Sequence, residues 1–343
     1  MHGGAVDAAA ERYGIPRDQW VDLSTGINPG PYPLPELARD YWYRLPDAAL
    51  YAWLQESAAA YYGVGDPACI VPAPGSQAAI QWLPRLLDTA RVAILAPTYS
   101  EHAAAWTAFG HSVDEIGADD AIPREAGVVV VTNPNNPDGR VIEPGRLLTL
   151  AEGRLLVVDE AYADVMPEVS LARFAGRPDL VILRSVGKFF GLAGMRLGFA
   201  LCGEPHAGRL RRALGPWAIS GPAAAIGAVA LADEGWIRTA RVRLTAASSR
   251  LDGLLMRFGL RPVGGTTLYR LVADPRAAEL FEHLAGNGVL VRRFVDQPAW
   301  LRIGLPGEDR DFERLATVLA AWRPRTSRGG PGYVRAGGGD AIG

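Results

Sequence analysis

Cysteine, lysine and net charge are all scarce in this chain, and each scarcity closes off a class of function. Its 343 residues include two cysteines, Cys69 and Cys202, too few for a disulfide framework or a cysteine-built zinc site. No metal is therefore expected, and a reducing, cytoplasmic setting is. The net charge is −2, so there is no basic field to hold nucleic acid or an anionic membrane. No run of about 18 apolar residues occurs, which argues against a membrane-spanning helix. The start, Met1-His2-Gly3-Gly4, has neither the basic nor the apolar stretch of a signal peptide. Of 35 basic residues a single one, Lys188, is a lysine. Arginine replaces lysine on most surfaces but cannot supply a deprotonated amine, which raises the question of what Lys188 does.

What is present reads as globular. Hydrophobic residues make up 49% and charged residues 21%, and the length suits roughly two compact units. Residues 1–40 are expected to form an arm, because 23–33 is dense in Gly, Pro, Ser and Asn. Over 41–222, strands expected at 91–95, 127–132, 155–159, 180–183 and 197–201 alternate with helices at 51–62, 99–109 and 147–152. That alternation predicts an α/β fold with a mostly parallel sheet. Over 223–324 a smaller α+β unit is expected. It is helical over the Ala- and Arg-rich stretch 223–255, with strands at 267–272, 289–292 and 301–305 and helices at 277–285 and 311–322. The Gly-rich stretch 325–343 is expected to be a disordered tail.

Five segments carry candidate chemistry. Lys188 follows an apolar strand within Ser185-Val186-Gly187-Lys188, with Arg196 eight residues on. A lysine amine attacks carbonyls once its surroundings favour the free base, and Ser185 and Arg196 suit a phosphate. Pyridoxal phosphate needs both; the plainer alternative is a surface lysine. Asp159 closes the apolar run Leu155–Val158, with Tyr162 three residues later. A carboxylate there suits a pyridine nitrogen or, equally, a helix cap. The turn Asn133-Pro134-Asn135-Asn136-Pro137 offers amides at another strand end, although such turns are common. Gly75-Ser76-Gln77 opens a helix, which suits an anion or simple capping. Tyr99 suits ring stacking or core packing.

In this order the set resembles the fold-type-I, aspartate-aminotransferase-like superfamily of pyridoxal-phosphate enzymes, in the histidinol-phosphate aminotransferase branch, over about residues 20–320. A narrower resemblance lies in His2-Gly3-Gly4, Ser24-Thr25-Gly26-Ile27-Asn28-Pro29, Pro216-Trp217, Val291-Arg292-Arg293 and Trp300-Leu301-Arg302-Ile303. These are similar to the threonine-phosphate decarboxylases of cobalamin biosynthesis. That family converts threonine O-3-phosphate to aminopropanol phosphate and carbon dioxide. An aminotransferase acting on histidinol phosphate or a related amino acid is the alternative.

The resemblance implies that Lys188 holds the cofactor covalently and that Asp159 pairs with its pyridine nitrogen. Asn136 and Tyr162 would bind its phenolate oxygen, Tyr99 would stack on the ring, and Gly75, Ser76, Gln77, Ser185 and Arg196 would hold its phosphate. Arg302 is implied for the substrate carboxylate, with Asn28, Arg292 and His2 at the rest of the phosphorylated substrate. A homodimer is implied as well. In one departure, Leu45 stands where the family has a tyrosine that reaches the neighbouring subunit's phosphate. Glu101 and His102 are given no role.

Overall fold

The structure, a computed structural model, describes residues 3–322. His2 and the expected tail at 325–343 lie outside the described residues. Two sheets organise the chain. The larger comprises β2 (Ile70–Ala73), β3 (Arg91–Leu95), β4 (Ser112–Ile116), β5 (Ala126–Thr132), β6 (Leu155–Asp159), β7 (Leu180–Ser185) and β8 (Gly198–Leu201). The smaller comprises β1 (Val21–Leu23), β9 (Pro262–Thr266), β10 (Tyr269–Ala273), β11 (Val289–Arg293) and β12 (Trp300–Gly304).

The larger sheet runs β2-β8-β7-β6-β5-β3-β4. Pairing is parallel from β7 to β4, and β8 is antiparallel to both its neighbours. Its central strands are continuous Val, Leu and Ile runs because both faces are covered. Val129, Val131, Leu156, Val158 and Ile182 enter one core. Val128, Val130, Val157, Val181 and Leu183 enter the other. This alternation follows from the two-residue period of a strand.

The smaller sheet runs β1-β11-β12-β10-β9 over a third core that includes Leu280, Leu284, Leu301, Ile303 and Leu315. One of its two edge strands, β1, comes from the N-terminal stretch and pairs parallel with β11, Leu23 opposite Val291. The stretch 1–40 thus carries a helix, Val6–Tyr13, and a sheet strand besides extended chain. The helical stretch expected over 223–255 consists of two helices, Gly221–Ala232 and Glu234–Arg257. They part at Asp233, whose carboxylate accepts from Trp236 N–H and caps the second. The first is mostly Ala and Gly, eight of its twelve residues, and packs into the larger sheet's core through Ala224, Ala225 and Ala228. The boundary expected at residue 222 therefore falls inside a helix.

Candidate active site

The sheet topology lines the candidate residues up along one edge. β2, β7, β6, β5 and β3 all run the same way, so their carboxyl ends share the edge where open α/β sheets bind ligands. Moving across it, Gly75 and Ser76 follow β2 and Arg196 precedes the reversed β8. Ser185 and Lys188 lie at and beyond the end of β7, Asp159 and Tyr162 at and beyond that of β6, Asn136 after β5 and Tyr99 after β3.

A cradle for a phosphate forms at the β2–β8 end. Gly75 has φ +78 and caps the helix Ser76–Arg85, whose first N–H groups have no intrahelical acceptor. A Cβ on Gly75 would lie 2.7 Å from Arg196 Nη2, and the left-handed φ is one that glycine adopts without strain. Arg196, in a left-handed conformation itself, directs Nη1 to Ala193 O at 3.1 Å. Ser185 pairs with Gly198 across β7 and β8, two residues from Arg196. A helix start, an arginine and a hydroxyl converge here, the donor set a phosphate takes.

At the centre lies Asp159, buried, with Oδ1 accepting from Ala161 N–H at 3.0 Å and Oδ2 3.0 Å from His102 Nε2. His102, left without a role by the sequence, is its buried partner. The available signal was spacing: His102 follows Tyr99 by three residues at a helix start, which puts both on one face. The two rings lie 6.1 Å apart, edge to face. Tyr99 Oη donates to Gln77 Oε1 at 3.1 Å, and Gln77 Nε2 donates to Glu101 Oε2 at 3.1 Å. Burial, with Glu101 and Asp159 nearby, pushes the Tyr99 hydroxyl up to about 12, so it stays a donor. Glu101 thus orients Gln77, and Gln77 holds Tyr99.

The strand ends themselves are tied by a buried ion cluster. Arg184, just before Ser185, reaches Glu160 Oε2 at 2.7 Å and Asp164 Oδ1 at 2.6 Å. Glu160 directly follows Asp159. Burial pushes its carboxyl up, and the Arg184 guanidinium opposes that shift. Breaking such a pair from one side leaves an uncompensated buried charge, so β6 and β7 hold their relative position firmly.

Lys188 Nζ lies 5.7 Å from the Tyr162 ring centroid, and that ring lies 5.2 Å from Tyr269. The Arg302 guanidinium sits over Tyr269 at 5.1 Å. Its Nη1 donates to Asn136 Oδ1 at 2.5 Å and its Nη2 to Ser24 O at 2.9 Å. Its Nε is buried and finds no partner among the described residues. Of the three asparagines in the turn, Asn133 is bonded to Ile142 and Asn135 to Pro97, Thr98 and Asp138. Asn136 is the one joined to Arg302.

Arg292 stands directly opposite Arg302 across β11 and β12. Burial and the Arg302 charge hold its guanidinium below its ordinary value. Asn28 is buried, and both polar ends of its side chain bond to the protein's own atoms.

A family profile described as aminotransferase class I and II matches residues 19–319. The chain belongs to that family. Among its relatives in the class I and II family, the threonine-phosphate decarboxylase of Pseudomonas aeruginosa is 46% identical, over 94% of this chain and 98% of that one. The threonine-phosphate decarboxylase of a Sinorhizobium species is 43% identical, over 93% and 97%. Among solved structures, the L-threonine-O-3-phosphate decarboxylase from Porphyromonas gingivalis superposes with a TM-score of 0.74 at 20% identity, covering 87% of this chain and 98% of that one. That likeness shows the fold, fold-type-I α/β. Leu45, where the family resemblance leads one to expect a tyrosine, is exposed, and its side chain has no hydrogen-bonding group.

Proposed function

We propose that this protein is a pyridoxal-phosphate-dependent decarboxylase that converts L-threonine O-3-phosphate to (R)-1-amino-2-propanol O-2-phosphate and carbon dioxide. The observation that carries the reading is the opposed pair Arg292 and Arg302, beside the Lys188–Asp159 centre. Like charges placed directly opposite on paired strands are unfavourable by themselves. They make sense as receivers for anions, and the substrate has two, a carboxylate at Cα and a phosphate at the far end.

The cofactor supplies an electron sink for the pair left on Cα when one of its bonds breaks. Lys188 offers the amine to which the cofactor's aldehyde attaches. Asp159, held by His102 and Ala161 N–H, would pair with the pyridine nitrogen. Tyr162 and the Asn136 amide would serve the cofactor's phenolate oxygen, and Tyr99 would stack on its ring. Gly75, Ser76, Gln77, Ser185 and Arg196 would hold its phosphate. Arg302, with its unpaired Nε, would take the substrate carboxylate and so orient the Cα–carboxylate bond for cleavage. Arg292 takes the substrate phosphate, with His2 as a further candidate. When carbon dioxide leaves, Cα requires one proton, and Lys188 Nζ is the acid at hand.

The same reading includes a cytoplasmic homodimer working in cobalamin biosynthesis. Exposed Trp42, Tyr43, Leu45 and Trp217 support pairing. Among the described residues no helix is long and apolar enough to cross a membrane.

Product analysis with threonine phosphate tests the function. Aminopropanol phosphate and carbon dioxide, formed without an amino acceptor, are expected. A keto product that forms only when an amino acceptor is supplied would move the assignment to an aminotransferase.

A further inference from the structure

We propose that Asn28 is a positioning residue for Lys188: it latches the N-terminal segment onto the loop that carries the lysine, and Arg243 holds the latch in place. The proposal rests on the reading of Lys188 as the cofactor lysine.

The loop after β7 has no strand partner, so its carbonyls must find donors elsewhere. Three consecutive ones are taken up by one short segment. Lys188 O accepts from Asn28 N–H at 3.0 Å and Phe190 O from Tyr32 N–H at 2.8 Å. Between them, Phe189 O accepts from Asn28 Nδ2 at 2.7 Å. The loop is shaped for this approach. Gly191 has φ +71, and a Cβ there would lie 2.7 Å from Pro31 Cα and 2.8 Å from Asn28 O.

The other end of the amide is fixed as well. Asn28 Oδ1 accepts from Gly30 N–H at 2.9 Å and from Arg243 Nη2 at 3.4 Å, and Arg243 Nη2 also donates to Gly30 O at 2.7 Å. Arg243 belongs to the helix Glu234–Arg257. That helix also anchors the segment through its capping residue, since Tyr32 Oη donates to Asp233 Oδ2 at 3.1 Å. Asparagine is the residue this arrangement asks for, with one donor toward a carbonyl and one acceptor toward two donors. Aspartate would set an acceptor against Phe189 O. With both ends engaged, the amide is a frame for the lysine loop rather than a ligand for substrate.

The test compares wild type with Asn28→Ala by amide hydrogen exchange on cofactor-free protein, which depends on neither substrate nor activity. Exchange in the peptide spanning 186–191 should rise about tenfold, the loss expected from one hydrogen bond of the latch. In the cofactor-loaded protein, release of pyridoxal phosphate should quicken and the pH midpoint of its bound absorbance should move, while KM for threonine phosphate stays within about twofold. Asn28→Asp should behave like Asn28→Ala. If Asn28→Ala fails to fold, Arg243→Met leaves the contacts to Lys188 and Phe189 intact and should shift exchange in the same direction by a smaller factor. Unchanged exchange and unchanged cofactor release would overturn the proposal. So would a large rise in KM with both unchanged, which would make Asn28 a substrate ligand. A protein that takes up no pyridoxal phosphate would end the functional reading but leave the exchange result to decide the latch.

Discussion

Replacing Asp159 by asparagine isolates one charge with little change in shape. The side chain keeps an oxygen for Ala161 N–H, now at 3.0 Å. Its new amide faces His102 Nε2, now 3.0 Å from Oδ2, and the imidazole can meet it as an acceptor by changing tautomer. Packing should therefore survive. What disappears is the negative charge in a place only 3% exposed, where water does not take over its work. A hydrogen bond to a charged group contributes about 1.5–3 kcal/mol, and each 1.36 kcal/mol is tenfold in rate. Turnover should fall roughly 10- to 150-fold, or further if charge develops strongly in the transition state. The assay is carbon dioxide release from threonine phosphate at saturating cofactor, with a thermal melt run in parallel to show that the fold is kept. Turnover within about twofold of wild type, in a protein with an unchanged melt, would refute the argument and leave Asp159 as a strand-end cap.

Arg292→Lys removes a planar fork and keeps the charge. KM for threonine phosphate should rise about tenfold with the bound cofactor's absorbance unchanged, and plain threonine should turn over poorly because remote binding energy is missing. Equal turnover of threonine and threonine phosphate would count against a phosphate subsite. Burial pushes the Cys202 thiol from its ordinary 9.0 up to about 12. The folded chain keeps that proton while the unfolded chain sheds it, so this contribution to stability is complete below pH 9 and lost as pH rises toward 12. The melting temperature should decline across that window, and Cys202→Ala should make the decline shallower. An identical slope in the variant would show that Cys202 is not part of it.

What the sequence hid in the fold shares one physical origin. The strands β5, β6 and β7 stand out because burial on both faces leaves them almost purely apolar. The strands with no sequence signal, β1, β2, β4 and β9, are the four outermost strands of the two sheets. Edge strands are short and tolerate residues that interior ones do not. Pro72 sits in β2, Gly264 and Gly265 in β9, and Asp114 and Glu115 in β4.

In the site, Lys188 and Asp159 stood out as candidates by their place, the sole lysine in the loop after one apolar strand and a carboxylate closing another, while the plainer roles of surface lysine and helix cap stayed open from sequence alone. The choice of Asn136 among three asparagines was not visible from composition, because it depends on what Asn133 and Asn135 already bond. The pairing of His102 with Asp159 joins positions 57 apart in the chain, and the opposition of Arg292 to Arg302 is a matter of strand register. Neither is a local property of the sequence.

The pairing of β1 with β11 has a consequence for shortened forms of the chain. β11 carries Val289, Leu290 and Val291, all buried, and its outward row of backbone donors and acceptors is covered by Val21–Leu23. A chain cut after Leu23 would present a bare apolar strand ready to recruit the same strand of another molecule. The first two dozen residues are therefore a guard against aggregation as much as part of the fold, and a solubility tag placed in their stead would leave that guard missing.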